Sequence, residues 1–213
     1  KFLAENYDYK ANTYETNKIN LLSNPTSLYA KQPTVYYGLM YLAKNAKKEV
    51  KIHTPYIICN DYMYNELKNI KVPTTIMTNS AENNGNIFGA VDYLNHKKDI
   101  INTGVTIKEY EGGISYHGKS MTIDDDIAIV GSFNMDMRSA YIDTELMLVI
   151  NSKDINKQLK ASMEEYEKKA ATVKNETEYS HIPEGMKMKE LSDKKKNIKA
   201  WFGWAMNGLR FLF

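Results

Sequence analysis

Cysteine is almost missing from this sequence. The single one, Cys59, excludes an internal disulfide and any zinc site built from several thiolates. In the apolar run Tyr56-Ile57-Ile58-Cys59 it reads as a buried structural thiol. A surplus of charge of one sign is also lacking. The formal net charge of +2 at pH 7 argues against a nucleic-acid binder held by a broad basic surface. No run reaches the roughly 18 uninterrupted apolar residues of a membrane span, so bilayer contact is expected from the surface or through a part outside this sequence. Internal repeats are missing. The first residue is Lys1 with no signal-peptide pattern behind it, and the sequence is expected to be a fragment or a processed piece. What is there is a folding composition. With 43% hydrophobic and 25% charged residues in 213 positions, one good-sized core and a tail are expected.

Residues 1–16 are polar and Tyr-rich, with little periodic signal. Lys18–Leu22 predicts a short strand, closed by the turn formers Ser23, Asn24 and Pro25. Pro33 suits a first helical turn, and Val35, Leu39, Leu42 and Ala46 follow at helical spacing. Val50–Thr54 predicts a strand ended by Pro55, and Asp61–Ile70 a helix capped by Asp61. Thr74–Thr78 is the next strand, Ile87–Asn102 the next helix, and Gly104 its stop before the strand Val105–Tyr110. This β-α-β-α-β-α-β order predicts a largely parallel sheet with helices on its faces.

Beyond Tyr110 the pattern changes. Ser115–Ile123 and Ile127–Val130 predict two strands joined by the hairpin-like turn Asp124-Asp125-Asp126. Glu145–Ile150 predicts a third, and Ser152–Ala171 a long helix with Leu159, Met163, Tyr166 and Ala170 on one face. The expected fold class is α/β: a mixed, mostly parallel sheet flanked by helices, plus a C-terminal helical tail. Residues 173–196, rich in Lys and Glu, read as a mobile connector. In the tail, Ile198, Trp201, Phe202, Ala205, Leu209 and Leu212 form one helical stripe beyond Lys194, Lys195 and Lys196. That composition fits an interfacial membrane helix, and equally a helix docked on its own domain or on another part.

The chemistry-bearing segment is Tyr116-His117-Gly118-Lys119-Ser120-Met121-Thr122-Ile123-Asp124, followed by Gly131-Ser132-Phe133-Asn134. His117 and Lys119 are two apart on a strand, so both point to one face. The imidazole can attack phosphorus or move a proton near neutral pH, and the ammonium can neutralise a phosphoryl oxygen. Ser132 and Asn134 share a face in the same way and offer neutral hydrogen-bond donors to a phosphate. A histidine nucleophile also needs its second ring nitrogen held. Glu145, at the start of the next strand, is a candidate for that. Asp124 could do the same or simply anchor the hairpin, and spacing does not separate the two. A lone His-x-Lys pair is common on strands and usually means surface; the whole combination is much harder to reach by chance.

Residues 116–150 resemble the HKD motif of the phospholipase D superfamily. Within them Val130–Ser139, followed by Thr144-Glu145, is similar to bacterial cardiolipin synthases. Upstream, Thr54-Pro55-Tyr56, Thr78-Asn79-Ser80, Leu94-Asn95-His96-Lys97 and Gly104–Tyr110 are similar to the same family. The resemblance covers roughly residues 17–172. It implies a catalytic half with one motif over residues 1–172, and a connector and tail over 173–213. It also implies a phosphatidyl transfer that uses no metal and no cofactor. One histidine forms a phosphohistidine, a second protonates the leaving alcohol, and an acceptor such as phosphatidylglycerol takes the phosphatidyl group. By the family pattern His117, Lys119 and Asp124 are catalytic, Ser132 and Asn134 bind the substrate phosphate, and Glu145 buttresses the imidazole. The implied partners are a phospholipid and a membrane surface, at the bacterial cytoplasmic membrane. A phospholipase D-type phosphodiesterase and a single-motif homodimeric nuclease are the alternative expectations.

One departure stands out. Enzymes of this branch carry two such motifs per chain, whereas here His53, His96 and His181 lack the Lys and Gly-Ser-x-Asn setting of a second copy. The second half is expected from a missing N-terminal part or from a homodimer partner. As a C-terminal half, the chain would use His117 more often as the acid than as the nucleophile.

Overall fold

A computed structural model describes residues 8–11, 13–27, 29, 31–205 and 210–212. The chain begins with β1 (Lys18–Ser23) and α1 (Thr34–Lys44). It continues through β2 (Val50–His53), β3 (Ile57–Ile58), α2 (Asp61–Lys68), β4 (Thr74–Asn79), α3 (Ile87–Ile101) and β5 (Thr106–Tyr110). β2, β4 and β5 pair in parallel, because a helix carries the chain back between each strand and the next. Both helices start on asparagine. Asn60 accepts from the Met63 amide, one residue before the expected cap, and Asn86 accepts from the Gly89 amide.

The hairpin region follows: β6 (Ser120–Ile123), β7 (Ile127–Gly131), β8 (Met135–Asp136), α4 (Met137–Tyr141) and β9 (Leu146–Asn151). Then come α5 (Lys153–Glu167), β10 (Ala170–Val173), β11 (Tyr179–His181), α6 (Asp193–Ala205) and a 3-10 turn at Arg210–Leu212. The large sheet has the order β1-β9-β7-β6-β2-β4-β5-β10-β11, and β3 pairs with β8 beside it. The mixed sheet flanked by helices is the one the sequence predicts. Parallel pairing, however, is confined to β2, β4 and β5 in that sheet, which corrects the expectation of a mostly parallel one. The tight turn at Asp124–Asp126 can join only antiparallel strands. β1 pairs antiparallel with β9 and does not join β2.

Two other expectations shift. The helix expected through Ala171 stops at Glu167, and Ala170 pairs with Tyr110 of β5 instead. The segment read as a connector supplies the edge strand β11, whose Tyr179 hydroxyl donates to Glu109 at 2.5 Å. Glu109 also takes Tyr93 Oη at 2.6 Å and Lys97 Nζ at 2.7 Å, so a buried carboxylate gathers β11 and α3 onto β5. α6 lies along α3, with Lys195 Nζ bonded to the carbonyls of Ala81, Glu82 and Asn84 at 2.8, 2.6 and 3.0 Å. Arg210 grips Asp92 at 2.6 and 3.0 Å. Of the expected tail stripe, Ile198 is half-buried and Leu212 exposed, while the side chains of Trp201, Phe202, Ala205 and Leu209 lie outside the described residues.

The two sheet faces differ in kind. Val50, Ile52, Ile76, Ile107, Met121 and Ile123 point into an apolar core with Val35, Tyr36, Leu39 and Met40 of α1. The alternate residues Lys51, His53 and Lys108 point to the other face, where α5 lies. Lys160, Glu164 and Glu167 recur along one face of α5 at helical spacing. They pair with Glu49 at 2.7 Å, with Lys51 at 3.0 Å, and with His53 and Lys108 at 3.2 and 2.6 Å. Burial raises the Glu167 carboxyl, but the His53 and Lys108 hydrogen bonds and the Lys51 and Lys108 charges outweigh it and bring the pKa down to about 2. Burial pushes the His53 imidazole below its ordinary value, against the pull of Glu167.

Glu167→Gln keeps the shape and removes the charge. We expect a loss of roughly 1.5–3 kcal/mol at pH 7, the worth of hydrogen bonds to a charged group, measured by denaturant unfolding. A carboxyl depressed from 4.5 to about 2 contributes fully above its unfolded value and loses that contribution as pH falls through the folded one. The gap between the two proteins therefore closes between roughly pH 5 and pH 2. Equal stability at pH 7 contradicts this account of α5.

Candidate active site

β6 and β7 pair from Ile123↔Ile127 to Ser120↔Val130, and Gly131 N donates to Lys119 O at 3.3 Å just beyond. That line of bonds sets His117–Lys119 alongside Gly131–Phe133. Ser132 is tied in turn to β9, donating its amide to Leu146 O at 2.9 Å and accepting the Leu146 amide on Oγ at 3.0 Å. Position 131 has room only for glycine. A Cβ there would stand 2.1 Å from Leu146 O and 2.9 Å from Met147 Cα, both backbone atoms.

His117 is exposed and Lys119 half-buried. Lys119 Nζ lies 2.9 Å from His117 Nδ1 and 2.9 Å from the His117 carbonyl oxygen. Burial and then the Lys119 charge push the imidazole pKa down. Burial also lowers the ammonium, against the opposing charges of Glu145 and Asp136. The expected pairing of imidazole and ammonium is therefore present, even though residues 115–119 run as an irregular segment ahead of β6.

Glu145 is 6% exposed and sits elsewhere in the network than expected. Its carboxylate accepts from Ser132 Oγ, and from Ser139 Oγ at 2.9 Å. Asn134 N and Nδ2 both approach Ser139 Oγ at 3.3 Å, and Asn134 Oδ1 is buried without a partner. Among the described residues the side-chain partner of the His117 ring is Lys119. Among the described residues Glu145 thus bonds Ser132 directly and reaches Asn134 through Ser139, with the imidazole paired to Lys119 instead. Ser139, which joins Glu145 to Asn134, was missed by sequence reasoning. Its signal was the Met-Asp-Met-Arg-Ser run, where Asp136 caps α4 by accepting the Ser139 amide at 2.5 Å. Burial raises Asp136 to about 6.

Asp124 stands apart from this group. It takes the positive φ of 51° in the hairpin turn, and its carboxylate accepts the amides of Lys47 at 2.9 Å, Lys48 at 2.7 Å and Glu49 at 3.2 Å. Burial raises its pKa, but those amides more than reverse the effect and hold it below the ordinary carboxylate value. These contacts make Asp124 an anchor that fixes the hairpin to the entry of β2, one of the two roles expected for it.

Beside His117 and Lys119 opens a cleft of about 620 Å³. Tyr110, Tyr116 and Tyr166 form its aromatic wall, with Met163 of α5 and Lys169 also lining it. His53 is not in it; the buried ring meets Tyr116 edge-on, with centroids 5.6 Å apart.

The family described as "Cardiolipin synthase, PLD-like domain" matches residues 39–166, a span that holds His117, Lys119, Ser132, Asn134, Ser139 and Glu145. The chain belongs to that family. This phospholipase D-like chain is 30% identical over 159 residues to cardiolipin synthase 1 of Staphylococcus epidermidis (strain ATCC 12228 / FDA PCI 1200), covering 73% of its own length and 32% of the relative's. It is 26% identical over 192 residues to cardiolipin synthase 1 of Staphylococcus aureus (strain COL), covering 86% and 38%. The chain spans about a third of the length of the curated relatives it matches. Its fold is that of two solved structures, each 16% identical. Phosphatidylserine synthase of Haemophilus influenzae Rd KW20 gives a TM-score of 0.65 over 92% of this chain and 48% of that one. The phospholipase D family member Nuc of Salmonella typhimurium gives 0.58 over 73% and 97%.

Asp124→Ala separates anchor from catalyst. We expect roughly 1–3 kcal/mol less stability, as three amides lose their acceptor. Turnover at a temperature where the variant is folded should not show the roughly 100-fold or greater loss that follows removal of a general acid or base. Such a loss in a folded protein would return Asp124 to the catalytic group.

Proposed function

We propose that this chain forms one of two phosphate-binding walls in a phosphatidyl-transferring enzyme of the cardiolipin synthase kind. The observation that carries the reading is the His117–Lys119 pair beside Ser132, inside a span matched by that family. Lys119 neutralises a non-bridging phosphate oxygen, Asn134 Nδ2 donates to another, and Ser132 Oγ does so once its one proton turns from Glu145 to the phosphate. With its pKa pushed down, His117 is neutral at pH 7, the form that attacks phosphorus. Its nitrogen lone pair forms the N–P bond while the P–O bond to the leaving alcohol breaks. The leaving oxygen takes its proton from a second histidine supplied by another part of the protein or by a second copy. The acceptor hydroxyl then gives its proton to that histidine, bonds to phosphorus and breaks the N–P bond. In the acid role His117 would have to be protonated first, so a negative charge would have to face it and raise its pKa.

The substrate we propose is a phospholipid such as phosphatidylglycerol, met at the surface of the bacterial cytoplasmic membrane. Among the described residues no helix is long and apolar enough to cross a membrane. A lone histidine cannot stand on both sides of phosphorus at once, which is why a second wall is part of the reading.

His117→Ala in the intact protein is expected to lower phosphatidyl transfer from labelled phosphatidylglycerol vesicles by roughly 100-fold or more, with an unchanged circular dichroism spectrum. A folded variant with the wild-type rate would sink the assignment. The 213-residue chain on its own is expected to turn over very slowly as a monomer. Rapid turnover by a demonstrated monomer would remove the need for a second wall.

A further inference from the structure

Asn79 ends β4 and is 1% exposed. Its side-chain Nδ2 donates to Pro55 O at 2.8 Å and to Tyr116 O at 2.9 Å. Its Oδ1 accepts from Tyr116 N at 2.8 Å and from Asn83 Nδ2 at 3.1 Å. Both donors and both acceptor positions of the carboxamide are filled. Turning the amide over would set its oxygen against two carbonyls, so its orientation is fixed.

An amide is needed here because of how the sheet ends. β6 pairs with β2 as far as Ser120↔His53, and β2 pairs with β4 as far as His53↔Met77. Two residues later Pro55 has no amide hydrogen, so no ladder can continue along that line. On that side the segment before β6 therefore runs past the end of β2 with no strand next to it. Asn79 reaches across from β4 and gives Tyr116 the one donor and one acceptor that a neighbouring strand would have given. Tyr116 immediately precedes His117. On the other side of His117, Lys119 is held by the Gly131 amide at 3.3 Å. The Tyr116 ring is enclosed edge-on by His53, Tyr110 and Tyr166, with centroids 5.6, 6.0 and 4.8 Å away.

We infer that Asn79 is a positioning residue for the proposed reaction, fixing the backbone before His117 and so the place of the imidazole against Lys119 and Ser132. The role rests on the catalytic reading of His117, and its first readout needs no turnover. In the intact protein with ring-labelled histidine, the His117 titration is followed by NMR for wild type and Asn79→Ala. Burial and Lys119 hold the wild-type midpoint below the ordinary 6.5, and loss of the clamp is expected to move it up toward that value. The kcat for transfer is expected to fall about 100-fold, the cost of a misplacement of about 1 Å, while KM stays near wild type.

Asn83→Ala removes one bond to Asn79 and leaves both bonds to Tyr116, so its His117 midpoint is expected at the wild-type value. An unshifted midpoint in folded Asn79→Ala, or an equal shift in Asn83→Ala, overturns the positioning role. So does an unchanged kcat in folded Asn79→Ala while His117→Ala is inactive. Should His117→Ala keep its rate, the catalytic reading fails, and the titration still decides whether Asn79 places the ring. If Asn79→Ala does not fold, Asn79→Ser, with a shorter donor and acceptor, undergoes the same titration and is judged by the same two results.

Discussion

Pro55 cannot donate a backbone hydrogen bond, and much of the candidate site is arranged around that constraint. β2 stops at His53, and the chain leaves the sheet through Thr54. The Thr54 amide still donates to Met77 O at 3.1 Å, while its hydroxyl accepts the Met135 amide at 3.1 Å. The displaced chain then pairs in parallel with β8, Ile57 opposite Met135 and Ile58 opposite Asp136. One missing N–H thus couples three features. It ends the central strand, brings the residues after Asn134 against β3, and leaves Tyr116 to be held by a side chain. The site lies at the carboxyl ends of parallel strands, where α/β sheets commonly hold ligands because the chain diverges there and backbone groups are left without ladder partners.

The opposite faces of the sheet are held by different forces, and this shapes the cleft. The α1 face is an apolar core whose contribution scales with the area removed from water. The α5 face buries Met163, and its contact with the sheet depends on three successive charge contacts. Paired charges at such an interface add little net stability once desolvation is counted, but they strongly disfavour any arrangement that leaves one of them unpaired. They therefore fix the register of α5. Leu159, Met163 and Tyr166 of that helix line the cleft beside His117, so the shape of the cleft follows from the ion pairs behind it.

What was legible in the sequence was local. Strands such as Thr74–Asn79 and Thr106–Tyr110, and the helix Ile87–Ile101, carry their own periodicity and stop signals, and the pairing of His117 with Lys119 follows from spacing two along an extended chain. Strand direction was less legible, since β1 finds its partner in β9 across more than a hundred residues. The end of α5 was lost because Ala170 continues the helical period while its partner, Tyr110, is far away in sequence. The roles of Asp124 and Glu145 depend on which amides and hydroxyls come near them. For Asp124 those are the amides of residues 47–49, and for Glu145 the hydroxyls of Ser132 and Ser139. The contacts of two acidic residues of the same motif thus rest on long-range geometry that no spacing rule contains.

The place of Glu145 bears on how a single wall could work. With Glu145 engaged by two serines, the described residues leave His117 a cation for a neighbour, and a cation biases an imidazole toward its neutral form. A neutral ring suits attack on phosphorus and is poorly suited to protonating a departing alkoxide. Two identical walls facing each other would start with the same bias, so something must break the symmetry. Bound phosphate carries the negative charge that could do so, since it raises the pKa of whichever ring it approaches without bonding to it. On this argument the proposed division into nucleophile and acid is imposed by the substrate as much as by the chain, and the protein's part is to hold each imidazole beside its lysine at a fixed place.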